Sequence, residues 1–100
     1  MTDLPELFQA ELDADELAAL FDDLAALAEI LEIRAKDGAR AHAREQTLEL
    51  REARDLVERR AVRGVQIRYR HAGELWMDTL MPGPTKVRLV RMKVPPRGVG

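Results

Sequence analysis

The stretch RGVQIRYRHAGELWMDTLMPGPTKVRLVRM, residues 63–92, constrains this chain more than any other. Apolar and polar side chains alternate through three short runs, separated by two turn signals, Ala72-Gly73 and Met81-Pro82-Gly83-Pro84. A period of two belongs to strands with one buried face, so the spacing predicts strands near 64–71, 74–81 and 86–94. If Ala72-Gly73 is a two-residue hairpin loop, Tyr69 falls opposite Trp76, Ile67 opposite Asp78 and Val65 opposite Leu80. Pro82 and Gly83 suit the central positions of a type II turn. A second loop of two or four residues brings Val87, Leu89 and Arg91 to the face of Trp76 and Leu80, whereas a three-residue loop reverses them.

Upstream, the period changes. Leu17, Leu20, Phe21, Leu24, Leu27 and Leu31 follow the spacing of an amphipathic helix that starts at Asp13 or Asp15. That helical stripe runs on to Ala35, with Gly38 as a possible cap, yet Leu31, Ile33 and Ala35 also alternate with charged neighbours. The alternation favours a helix ending near Glu29 and a strand over 30–36. Before it, Asp3, Pro5 and Glu6 resemble a helix start, and a short first helix to about Leu12 would present Leu4, Leu7, Phe8 and Leu12 on one side. After the polar stretch GARAHAREQ, Thr47 can cap a helix to about Arg60 with Leu50, Ala53, Leu56 and Val57 turned inward.

These elements predict an α+β domain in the order α-α-β-α-β-β-β: N-terminal helices, one further helix and a small, mainly antiparallel sheet of three to four strands. A chain of 100 residues hides roughly two thirds of its unfolded surface, enough for one core, so a single domain is expected over 1–100. Residues 1–13 would form an acidic arm and residues 95–100 a frayed tail, since VPPRGVG cannot continue a ladder.

Charge is sorted along the chain. Residues 1–33 hold ten acidic residues and no Lys or Arg, while residues 34–100 hold all 16 basic residues against eight acidic ones. The basic residues expected on the sheet surface are Arg68, Arg70, Lys86, Arg88, Arg91 and Lys93, with Leu75, Met77, Val90 and Met92 scattered among them. Such a surface suits a negative partner. Interleaved apolar residues favour protein, which is the leading expectation, either another molecule or a second copy in a homodimer; the acidic arm Leu4, Leu7, Phe8 and Leu12 would supply a second docking element. Nucleic acid is the alternative, read through the same arginines, and a small anion held by guanidinium groups is a third.

Catalytic material is sparse. Cysteine, serine and asparagine are absent, leaving Thr2, Thr47, Thr79 and Thr85 as the aliphatic hydroxyls. His42 and His71 lack ligand spacing, so no metal and no cofactor is expected. Asp78 is the oddest position, a carboxylate placed between Ile67 and Val87 on the core face, which requires a partner such as Arg91. Trp76 and Tyr69 share that face and read as packing residues. The absence of cysteine, of a basic and apolar leader and of an apolar run long enough for a membrane suggests a soluble, unprocessed, cytoplasmic, non-enzymatic interaction or accessory domain.

Overall fold

The computed structural model describes residues 7–36 and 48–95, which form five strands and two helices: β1 (Leu7–Leu12), α1 (Ala14–Leu27), β2 (Glu29–Lys36), α2 (Leu50–Glu58), β3 (Gly64–His71), β4 (Glu74–Pro82) and β5 (Val87–Lys93). All five strands join one antiparallel sheet in the order β1-β5-β4-β3-β2. The class is α+β, but the expected element order is corrected. The chain runs β-α-β-α-β-β-β with five strands, and the segment read as a first helix pairs as a strand along β5. The physical reason lies in LFQAEL itself: its six residues, all but Phe8 good helix formers, satisfy either period, and a segment this short takes the conformation its neighbour offers. Here β5 offers an unpaired edge from Val87 to Met92. Leu4, Gly38, His42, Thr47 and residues 96–100 lie outside the described residues.

The other elements follow the pattern, except that α2 begins at Leu50 with Glu49 as its N-cap, whose N–H donates to Glu52 at 2.8 Å, where the sequence predicts Thr47 as the cap. Asp13 caps α1, its carboxylate accepting from the Glu16 N–H at 2.8 Å while Glu16 accepts from the Asp13 N–H at 2.8 Å. The helix ends at Leu27, and the strand expected from the 30–36 alternation is β2. The His71–Glu74 pair closes a two-residue loop in which Ala72 and Gly73 both have positive φ, 54° and 81°, as a type I′ hairpin turn requires. Pro82 pairs with Val87, so the second loop has four residues and preserves parity. Gly83 closes it by donating its N–H to the Lys86 carbonyl at 2.7 Å, and a Cβ there would meet that oxygen at 2.9 Å.

Parity then decides what is buried. Ile33, Val65, Ile67, Tyr69, Leu80, Val87 and Leu89 face Leu17, Phe21 and Leu24 of α1 and Ala53 and Val57 of α2, forming one apolar cluster. Burial of each large aliphatic or aromatic side chain contributes about 1.5–3 kcal/mol. Both helices therefore sit on one side of the sheet, and the other side has no second layer among the described residues.

Candidate functional site

The uncovered side of the sheet is assembled by the alternate strand positions. Register places Leu7 opposite Met92 and Met92 opposite Met77, then Met77 opposite Arg68 and Arg68 opposite Glu32. That single row crosses all five strands, and it is apolar over β1, β5 and β4 and ionic over β3 and β2. Leu75, Met77, Val90 and Met92, the apolar residues expected on this surface, all fall here, down the centre of the sheet. Leu7 and Met81 extend them, 51% and 36% exposed. The sequence puts Leu7 on a helix and Met81 in a turn; LFQAEL satisfies either period, so no local signal places Leu7 here.

The cations are arranged differently from the expected basic surface. Arg70 Nη1 lies 3.0 Å from Glu29 Oε1, Arg88 Nε 3.1 Å from Glu11 Oε2, and Arg68 Nη1 3.9 Å from Glu32 Oε1. Glu32 also accepts from Arg34 Nε at 2.8 Å. Each carboxylate comes from the acidic first third of the chain, because β1 and β2 lie at the two outer edges of the sheet beside the basic strands β5 and β3. Opposite charges sorted along the sequence thus become cross-strand pairs in space. Arg91 and Lys93 stand opposite Asp78 and Trp76, on the helix side, and Lys93 Nζ pairs with Glu74 at 3.2 Å. Lys86 lies in the β4–β5 loop, exposed and without an ion-pair partner among the described residues.

Asp78 is fully buried, and the expected partner is present. Arg91 binds it with two parallel bonds, Nε to Oδ1 at 2.9 Å and Nη2 to Oδ2 at 2.8 Å, while the Tyr69 hydroxyl donates to Oδ1 at 3.0 Å. A desolvated carboxylate needs such saturation. Hydrogen bonding to Asp78 raises the Arg91 pKa, and burial, reinforced by the Asp78 charge, pushes the Tyr69 phenol well above its ordinary range. The phenol stays protonated at neutral pH and both carboxylate oxygens are occupied, so the cluster is built for holding β3, β4 and β5 together.

On β1, Phe8 points to the helix side opposite Arg91 and is 46% exposed, while Leu12, half-buried, stands opposite Val87. Exposed His71 places Nδ1 3.2 Å from the Leu27 carbonyl. Among the described residues, no three His, Asp or Glu side chains gather as metal ligands would, and no helix is long and apolar enough to cross a membrane. No protein-family model, no curated protein and no solved structure matches this chain.

Proposed function

We propose that this is a non-enzymatic interaction domain whose uncovered sheet face receives an amphipathic helix of a partner protein. The observation that carries this reading is the apolar lane along β4 and β5, Leu75, Met77, Met81, Val90 and Met92, bounded by the Arg68–Glu32 and Arg70–Glu29 pairs on one side and Arg88–Glu11 on the other. From Leu75 to Met81 the lane runs roughly 20 Å at about 3.3 Å per residue. A helix of about 13 residues has that length. Its apolar stripe would fill the lane, and its flanking charges of either sign would meet an ion pair at each margin. Methionine, unbranched and polarisable, is suited to such a surface because it repacks around differing side chains. The lack of cysteine favours a reducing compartment such as the cytoplasm.

The nucleic-acid reading draws on Arg68, Arg70, Arg88, Arg91 and Lys93, and each of these has a carboxylate partner, which weakens its support. Three of the four methionines, Met77, Met81 and Met92, lie on the proposed surface or its rim, which offers a direct test. Photo-methionine incorporated in living cells is expected to cross-link Met77 and Met92 to an amphipathic segment of one protein. Capture should survive nuclease and be lost in the doubly substituted Leu75→Lys, Val90→Lys protein at unchanged helix content. Cross-links confined to this chain, or capture indifferent to those substitutions, would overturn the reading.

A further inference from the structure

The two edges of the sheet are not equivalent. At β2 the edge is interrupted: register slips at a bulge between Ile30 and Glu32, Arg34 and Lys36 stand on the strand, and the Ile33 carbonyl already accepts the Leu48 N–H at 3.1 Å. These are the devices that keep a sheet edge from recruiting another strand. At β1 there is no bulge and no covering segment among the described residues, and the one charge on the strand, Glu11, is paired with Arg88. Leu7–Leu12 pairs with β5 in unbroken register, contains no Pro, Lys or Arg, and carries exposed Leu7 and Phe8 on its two faces. No described residue outside β5 bonds to its backbone groups.

From this asymmetry we infer that β1 is an assembly edge at which a second copy of the chain adds its own β1 antiparallel, joining two five-stranded sheets into one of ten strands. The strand's sequence supports a copy of itself as occupant. Directly opposed residues share a face, so the pairing must join positions of equal parity. With the two-fold axis at Ala10, Phe8 of each copy meets Leu12 of the other on the helix side, and Gln9 meets Glu11 on the open side. Apolar thus faces apolar, and the sole charge on the strand faces an amide. An axis at Gln9 instead sets Phe8 against Ala10 and Leu7 against Glu11, so neither large apolar residue meets another, whereas at Ala10 only Leu7, opposite the Asp13 cap, lacks an apolar partner. Because the β2 edge is blocked, assembly closes at two copies and does not propagate into a fibre. This inference uses the edge of the sheet and stands independently of helix docking on its open face.

The test is sedimentation and light scattering of the full chain across a concentration series, with two sets of variants. The natural chain is expected to reach the mass of a dimer. Phe8→Glu should return it to a monomer with unchanged circular dichroism, while Met77→Lys on the open face should leave the dimer intact. Since the chain has no cysteine, Ala10→Cys reports the axis directly: oxidation should give a covalent two-chain species, and Thr79→Cys should not. A monomer at every concentration overturns the inference. So does a dimer that Met77→Lys dissociates and Phe8→Glu leaves untouched, and so does an Ala10→Cys chain that dimerises without cross-linking.

Discussion

Asp78 shows how one residue ties three strands together. Its carboxylate lies on β4 between Ile67 of β3 and Arg91 of β5, and it is solvated by the protein through three hydrogen bonds. Removing one partner should be costly because the charge left behind stays buried. Arg91→Leu is expected to destabilise the fold by about 3 kcal/mol in urea unfolding. Replacing both ends, Asp78→Leu with Arg91→Leu, should cost less than the single change, since no charge is then stranded. Tyr69 makes a separate prediction in alkali. Its folded pKa lies above the ordinary 10.0, so the stabilisation from its protonated phenol is fully present below that pH and is lost as pH rises through the folded pKa. Phenolate absorbance of this sole tyrosine should therefore rise only together with loss of structure, and Tyr69→Phe should remove the proton-linked part of the alkaline transition.

At the level of elements, local signals decided the hairpins and β2, and long-range pairing decided the β1 edge. Ala72-Gly73 fixes the β3–β4 register within two residues, but Ala pays for φ of 54° with a crowded Cβ. Ala72→Asn, which tolerates that region, is expected to stabilise the fold by about 0.5–1 kcal/mol in thermal or urea unfolding. The same locality explains what the sequence made legible. Strands β3, β4 and β5, their shared parity and the Asp78–Arg91 pair all follow from alternation plus two turns of known length. The first strand was hidden because Leu7, Phe8 and Leu12 fit a helical stripe as well as Phe8, Ala10 and Leu12 fit a strand. Only β5, some 80 residues away, breaks the tie. The fate of the arginines was illegible for the same reason, since Glu11 and Glu29 reach Arg88 and Arg70 only once the strand order is known.

For the whole molecule, the sorted charge is largely spent inside one chain. The cross-strand pairs are solvent-exposed and contribute about 0.2–1 kcal/mol each, small beside the apolar cluster, so their main effect is to cancel the field of the arginines. A labelled single-stranded oligonucleotide at low ionic strength should accordingly show no rise in anisotropy; a strong rise that collapses with added salt would return the nucleic-acid reading to first place. Strand order has one more consequence, in time. Synthesis from the N-terminus delivers Leu7–Leu12 first and its partner Val87–Lys93 last, whereas β3, β4 and β5 emerge in succession as neighbours. The meander is built from contacts local in sequence, whereas β1 has no strand partner until β5 exists and must then pair across some 75 to 85 residues.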